Sequence, residues 1–507
     1  MILKPIDYLL NRITMYRLVL YYLIALLLAA IGLSLAGYVQ FNALSIAFSA
    51  GYLTIICWLS NKVFAYYFEV PVNVESVYIT ALILALIVTP YKIPHDILFL
   101  TAVGGLAIAS KFILAIRKKH IFNPAAVAVA LTAVGAGQTA SWWVGTSYLL
   151  PFVVIGGLLV IRKTNRGFMV LSFFVAAAVS TLITSLMTHH AVLATLQTTA
   201  LHSSLFFLAF VMLTEPFTSP TTRHKQLWYG VLAGLLFPPE IHFFSLYSTP
   251  ELALLVANVF AYIVSPKVKL LLTLKERIPI ATDTVNFVFK PKQHITYKPG
   301  QYMEWTLPHD SPDNRGNRRV FTLASSPTED TLQIGVKFYP ESSSFKHAMF
   351  NMNDQTKVAA GQLGGDFVMP DDRSKKLVFI AGGIGITPYR SMVKYMLDTN
   401  ERRDITLLYF AKNSHELSYT NIFNAAARLL GLKVVYTVTD LEAVPPDWQG
   451  QTGPVSAQML ASSVPDYQER LFYISGPHNM VSAVQGILRS MDVPNHQIKT
   501  DYFSGYA

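Results

Sequence analysis

Cysteine is almost absent. The 507 residues include one, Cys57. That excludes an internal disulfide and an iron–sulfur cluster held by four of the chain's own thiolates. Inside an apolar run, Cys57 reads as a small buried side chain. Charge is scarce in one half only. Residues 1–266 hold 14 Lys/Arg and 7 Asp/Glu, while 267–507 hold 26 and 23. The net charge of +10 therefore lies mostly in the first half. No basic tract is interleaved with aromatics, so no nucleic-acid partner is expected. Positive charge beside long apolar runs points to orientation in a lipid bilayer instead. The first run follows Lys4, Arg12 and Arg17, has no cleavage pattern and is succeeded by others. It reads as a retained helix, not a signal peptide.

A helix needs ~20 apolar residues to cross a bilayer. Ten spans are expected near 18–39, 43–60, 76–90, 96–116, 125–142, 146–161, 168–187, 203–214, 226–244 and 250–265. Basic residues collect on one side of this array: Lys62, Arg117 to Lys119, Arg162, Lys163, Arg166, Arg223, Lys225, Lys267 and Lys269. The opposite loops carry only Lys92. The expectation is a multi-pass protein of the inner, cytoplasmic membrane with both termini in the cytoplasm. Lys111, near the inner end of the fourth span, is expected to snorkel to the interface. His189, His190, His202 and His242 do not pair across neighbouring spans, so a haem-bearing ferric reductase ranks well behind other readings.

Two segments look alike: Leu84 to Pro94, LALIVTPYKIP, and Phe210 to Pro220, FVMLTEPFTSP. Each is a short apolar run broken by Thr and Pro. Paired Pro-interrupted helices in two halves suggest an internal repeat with a site near the midplane. The freed backbone groups need protein, water or a cofactor as partners. Equally, the prolines could simply end two short helices.

The second half is organised around Leu377 to Met392, LVFIAGGIGITPYRSM. An apolar strand stops at Gly382, a glycine turn runs through Gly383 and Gly385 to Thr387 and Pro388, and a helix follows. Such a turn lets backbone approach a diphosphate at a helix N-terminus, though a ligand-free turn would read the same. A second apolar strand, Leu471 to Ile474, ends at Ser475, Gly476 and Pro477. Two such ends on one parallel sheet frame a dinucleotide crevice. Upstream, alternating and turn-rich sequence from Arg277 suggests an antiparallel barrel. Within it, Arg319 can clamp a pyrophosphate. Phe321, two residues on and therefore on the same strand face, can cover a flavin ring, and the Thr322 hydroxyl can reach its N5. A surface arginine pair with Phe321 in the barrel core is the plainer alternative. Ser343 and Ser344 open a short helix and read as phosphate ligands or as plain caps. Lys412 could meet a 2′-phosphate or be an exposed loop residue. NADH and NADPH are not separable from sequence.

Two resemblances follow from these tracts. Lys119 to Ala126, KHIFNPAA, and Thr214 to Thr222, TEPFTSPTT, resemble the RnfD/NqrB family of membrane flavoproteins. Its members serve in Rnf electron-transport complexes and in the sodium-translocating NADH:quinone reductase. The resemblance implies about ten helices and a flavin-bearing membrane domain. Glu215 stands where the family pattern has Asp, and the [ST]GAT tract that carries ester-linked FMN is missing from 1–266. A non-covalent FMN or riboflavin, or a quinone, is then the occupant to expect. Asn123 and Thr218 are the candidate contacts, against ordinary roles as cap and turn residue. RVFT, GGIGITP and SGPHNM, in that order, resemble the ferredoxin–NADP reductase superfamily. By that resemblance Arg319, Phe321, Thr322, Ser343 and Ser344 hold FAD, while Gly383, Thr387, Ser475 and Pro477 receive NAD(P)H. Ser475 replaces the usual Cys near the hydride path, and Phe503 and Tyr506 are expected to pack near the flavin.

The expected architecture is thus a polytopic α-helical membrane domain over 1–266 with an internal repeat. An antiparallel β-barrel FAD domain over 267–370 and a parallel α/β NAD(P) domain over 371–507 follow it. The expected activity takes electrons from NAD(P)H through FAD (Thr322 and Ser475 at the reacting end) into the membrane and on to a quinone or an acceptor across it, with ion coupling open. No metal site is expected. Further electron-transport proteins are candidate partners. The competing readings are the haem-type reductase and a membrane binding or transport module with a tethered flavin reductase.

Overall fold

The computed structural model describes residues 6, 10, 13–68, 74–94, 96–116, 119–244, 246–266, 269–310, 312–313 and 316–503. Arg117, Lys118, Lys267 and Tyr506 lie outside them. The chain divides into two compact units, Met1–Lys267 and Val268–Ala507.

The first unit is helical. Helix α1 (Met15–Leu35) starts at Thr14, whose hydroxyl accepts from the Arg17 N–H. Then come α2 (Ala43–Phe68), α3 (Val74–Ile87), α4 (Asp96–Ile113), α5 (Pro124–Ala136), α6 (Leu150–Thr164) and α7 (Gly167–Met187). Helices α8 (Val192–Leu201) and α9 (Leu205–Met212) meet at a 57° bend. Helix α9 ends in a π-helical turn from Leu208 to Met212. Helices α10 (Arg223–Leu235) and α11 (Pro250–Val264) complete the unit. Helix α10 lies hard against α7, because a Cβ on Gly230 would sit 2.3 Å from the Met169 carbonyl oxygen and one on Gly234 2.5 Å from that of Phe173. Small residues at this spacing are how apolar helices close up.

Among the described residues, four helices are long and apolar enough to cross a membrane: α1, α2, α4 and α7. Helices α3, α5 and α11 are apolar but shorter. Each expected span contains helix, but several end early. The apolar stretches after α5 and α10 turn into loops and a small hairpin. Helix α8 was not foreseen.

One order of elements occurs twice. Helix α3, the Thr89–Pro90 break, α4, a hairpin of β1 (Ala115–Ile116) and β2 (Lys119–His120), and α5 make the first set. Helix α9, the break at Thr214 to Pro216, α10, a hairpin of β3 (His242–Phe243) and β4 (Leu246–Tyr247), and α11 make the second. Both closing helices begin with proline and are capped by the preceding side chain, Asn123 or Thr249.

The second unit opens with β5 (Lys269–Ala281). It joins β6 (Thr284–Lys290), β7 (Tyr302–Thr306), β8 (Arg318–Thr322), β9 (Leu332–Lys337) and β10 (Lys357–Gly364). They form an antiparallel sheet in the order β8-β7-β10-β5-β6-β9. Its inner face buries Phe287, Phe289, Met303 and Trp305, and α12 (Ser344–Phe350) adds Phe345. The remaining strands are parallel: β11 (Leu377–Gly382), β12 (Ile405–Ala411), β13 (Lys433–Val438), β14 (Gln451–Thr452), β15 (Leu471–Pro477) and β16 (Ile498–Phe503). Their order is β14-β13-β12-β11-β15-β16. Strands β11 and β12 are buried at every position, as expected where helices cover both faces. Those helices are α13 (Thr387–Thr399), α14 (Thr420–Leu430), α15 (Ala457–Ser463) and α16 (His478–Ser490).

Candidate functional site

The chain runs from β11 outward through β12 and β13, then crosses over to β15. The strand order therefore reverses between β11 and β15, and the crevice outside their carboxyl ends is where such a sheet binds ligands. Strand β11 ends in Gly382 there, and β15 in Gly476 and Pro477. Gly383 has φ 52°, which glycine adopts without cost. A Cβ on Gly385 would lie 2.3 Å from the Ser475 carbonyl oxygen, and one on Gly476 3.2 Å from the Gly382 Cα. Three backbone segments thus converge with no room for side chains. The 3₁₀ turn Gly383–Ile386 leads directly into α13, with Thr387 and Pro388 in its first turn. A helix start leaves its first backbone N–H groups without intrahelical partners.

The Ser475 hydroxyl is buried here without a hydrogen-bond partner among the described residues. Ser475 pairs in register with Asp501 on β16. Asp501 accepts from the Thr322 hydroxyl at 3.5 Å. Burial pushes its carboxyl up to about 6, against the opposing pull of Thr322. Sequence reasoning singled out Thr322 and Ser475 and missed Asp501, which bonds the first and lies beside the second in strand register. Phe503 is the last described residue of β16 and pairs with Pro477.

On the barrel side, the Arg319 guanidinium lies 5.0 Å over the Phe345 ring. The Phe321 ring stands 6.1 Å from the same phenyl group. Arg319, Phe321 and the start of α12 are therefore together. The two serines have local partners. The Ser343 hydroxyl is fully buried and accepts from the Lys346 N–H at 3.4 Å. The Ser344 hydroxyl accepts from the Asp313 N–H at 2.9 Å, and the Ser344 N–H donates to the Asp313 carboxylate at 3.0 Å. Asp313 was not anticipated.

The two sheets are joined beside the crevice. Arg390, on α13, forks onto the Glu329 carboxylate and donates to the Ala324 carbonyl at 3.0 Å. The Ser391 hydroxyl donates to the Ser325 carbonyl. The Tyr419 hydroxyl reaches Asn286 at 2.9 Å.

In the first unit, Asn123 caps α5 and donates from Nδ2 to Glu215 at 2.8 Å. Thr218 donates to the same carboxylate oxygen at 3.2 Å, and His120 lies 3.6 Å from the other. Asn258, fully buried in α11, accepts from the Asn123 N–H at 2.8 Å and donates to the Thr218 carbonyl at 3.2 Å and the Tyr229 hydroxyl at 2.9 Å. Beside this cluster is a cleft of about 50 Å³ between α1, α3, α5, α6 and the broken α9. That exceeds the ~10–15 Å³ one water needs. Its polar lining includes Thr80, Asn123, Thr164, Thr214 and Glu215. Asn123 lines it directly, whereas Thr218 reaches it through Glu215. The Lys111 ammonium donates to the Ser76 carbonyl at 2.9 Å and to its hydroxyl at 3.0 Å.

Comparison with known proteins divides the chain in the same way. Residues 136–269 match the NQR2, RnfD, RnfE family and residues 379–486 match the oxidoreductase NAD-binding domain. The glycine betaine monooxygenase reductase subunit of Chromohalobacter salexigens is 29% identical over 217 residues, covering 41% of this chain and 57% of that protein. Flavohemoprotein A of Dictyostelium discoideum is 25% identical over 243 residues, covering 45% and 58%. The chain spans somewhat over half the length of these relatives. Among solved structures, the Amycolatopsis cytochrome P450 reductase GcoB is 23% identical with a TM-score of 0.42, over 47% of this chain and 71% of that one.

Proposed function

We propose that a chain joining an NQR2, RnfD, RnfE-type helical unit to an oxidoreductase NAD-binding domain is a membrane-bound NAD(P)H-dependent flavin oxidoreductase. It passes electrons from cytoplasmic NAD(P)H through FAD into the helical unit and on to a quinone or an acceptor across the membrane. One observation carries the reading. The Thr322 hydroxyl and the Asp501 carboxylate are joined beside Ser475, at the glycine-built crevice between β11 and β15.

FAD, when bound, accepts a hydride and releases electrons singly. The chain's own residues bind and orient. Arg319 and the start of α12 hold the pyrophosphate, with Ser343 and Ser344 shaping that helix start. Phe321 covers the ring. Gly382, Gly383, Gly385, Thr387 and Pro388 receive the dinucleotide's phosphates, and Gly476 and Pro477 border the nicotinamide. Thr322 and Ser475 present hydroxyls at the reacting end, and Asp501 holds or moves a proton through Thr322. In the helical unit, the cleft at Asn123 and Glu215 takes a non-covalent FMN or riboflavin, or a quinone. The twice-used element order supports an internal repeat; the ten spans and two cytoplasmic termini rest on the hydropathy and the placement of basic residues in the sequence.

The second reading is a reductase tethered to a membrane binding or transport module; the missing [ST]GAT tract favours it. A flavin inventory of the detergent-purified chain tests both. Acid precipitation that yields FAD and a second flavin supports the relay. FAD alone removes the flavin relay and leaves direct quinone reduction or the tethered reductase.

A further inference from the structure

We propose that Glu215 and His120 supply the protons for a quinone reduced in the cleft of the helical unit, and that these protons enter from the cytoplasmic side. The inference rests on the electron route above and names its proton source. The two carboxylate oxygens of Glu215 have different surroundings. Oε2 accepts from Asn123 Nδ2 at 2.8 Å and from the Thr218 hydroxyl at 3.2 Å. Those two bonds are enough to brace the break after α9 against the start of α5. Oε1 accepts from none of the described residues and has His120 Nε2 3.6 Å away. That nitrogen is buried and has no hydrogen-bond partner among the described residues. The gap is just beyond hydrogen-bonding range. A small turn of either side chain closes it, and so does one water, for which the cleft lined by Glu215 has room.

The chemistry calls for such a pair. A quinone becomes a hydroquinone by taking two electrons and two protons, so that each carbonyl oxygen ends as a hydroxyl. The electrons come from NADH by way of the flavin, as NADH gives up a hydride and becomes NAD⁺. The protons need a donor at the ring. Glu215 lines the cleft and is the group that meets the acceptor. His120 acts through Glu215, returning a proton to the carboxylate after each transfer. Imidazole is the side chain that takes and gives protons near neutral pH. His120 ends β2, directly after the basic run Arg117 to Lys119, which the placement of positive charge puts on the cytoplasmic face. Its side chain is 17% exposed and packs against the Phe217 ring at 5.4 Å. The other charged groups around the cleft are engaged. Arg17 pairs with Glu75 at 2.7 Å, Lys111 donates to Ser76, and Arg166 donates to the Ser219 hydroxyl and to the Glu215 carbonyl at 3.4 Å.

The test uses the full chain in liposomes, with NADH outside, a short-chain ubiquinone in the bilayer and a pH dye trapped in the lumen. Only chains whose dinucleotide site faces outward turn over. Oxidation of NADH releases one proton and reduction of the quinone consumes two. The outside medium should therefore lose one proton per NADH while the lumen pH holds. Loss of two protons from the lumen, with acid appearing outside, overturns the proposal. In detergent, the rate of quinone reduction divided by that of ferricyanide reduction should fall as pH rises from about 6 to about 9. His120→Gln should lower this ratio roughly 10²-fold at the alkaline end, and free imidazole should recover part of the loss in His120→Ala. A pH profile unchanged in both His120 variants also overturns the proposal. If the wild type reduces ferricyanide but no quinone, the electron route itself falls, and this inference with it.

Discussion

The Thr322 hydroxyl donates to the Asp501 carboxylate across 3.5 Å and 179 residues of sequence. The bond ties the last residue of β8 in the antiparallel sheet to β16 in the parallel one. It puts a titratable group where the two sheets meet.

Asp501 should set a pH dependence. Its carboxyl is pushed up to about 6 by burial, from ~3.9 in an unfolded chain. Between those values the folded state holds a proton that the unfolded state has lost, so stability falls as pH rises through that window and stays lower above it. Asp501→Asn should therefore raise the melting temperature near pH 8, by the equivalent of roughly 2–3 kcal/mol, and change it little near pH 4. The pH profile of flavin reduction by NADH should bend near 6 in the wild type and be flat in the variant. A bend that survives the substitution would assign it to another group.

Thr322→Val removes the donor and keeps the shape. Stopped-flow reduction by NADH should slow by ~10²-fold, the low end for a positioned proton-transfer group. Thr322→Ser should restore most of the rate. Equal rates in the valine and serine variants would reduce the hydroxyl to packing.

Gly385→Ala places a methyl 2.3 Å from the Ser475 carbonyl oxygen. The ends of β11 and β15 must then part, at a cost of about 1–3 kcal/mol. KM for the dinucleotide should rise at least ten-fold while FAD content is unchanged. An unaltered KM would mean the crevice does not hold the pyrophosphate.

Glu215→Gln keeps the size of the side chain that Asn123 and Thr218 both grip but removes its charge. NADH-driven quinone reduction should fall at least ten-fold relative to ferricyanide reduction, since on the proposed route only the former passes through the helical unit. Parallel losses in both assays would show that the cleft lies off the route.

Sequence and structure agree best where chemistry is local. GGIGITP announces its own turn because glycine spacing and the following helix lie within one short stretch. Asp501 gave no such signal: its role depends on β16 lying beside β15 and on β8 approaching from another sheet. A signal was present for Asn258, an amide in the middle of an apolar helix, where a polar group calls for partners. Arg166, buried and bonded to Ser219, was legible only as a loop charge. The span boundaries drifted for a different reason. Hydropathy counts apolar residues whether or not they are helical, so Phe237 to Phe244 extended a span whose helix ends at Leu235, and 146–149 extended one whose helix begins at Leu150. Helix α8 was hidden by Thr195, Thr198 and Thr199, which interrupt its apolar pattern.

Helix α13 begins at the glycine turn and, early in its course, presents Arg390 and Ser391 to the carbonyls of Ala324 and Ser325. Those carbonyls belong to the segment that continues directly from Thr322. On the proposed reading one helix works as a strut, with the dinucleotide's phosphates at its tip and the flavin-facing strand at its side. Loading the tip and holding Thr322 in line are one mechanical event, and a substitution that tilts α13 must detune both halves of the hydride transfer together.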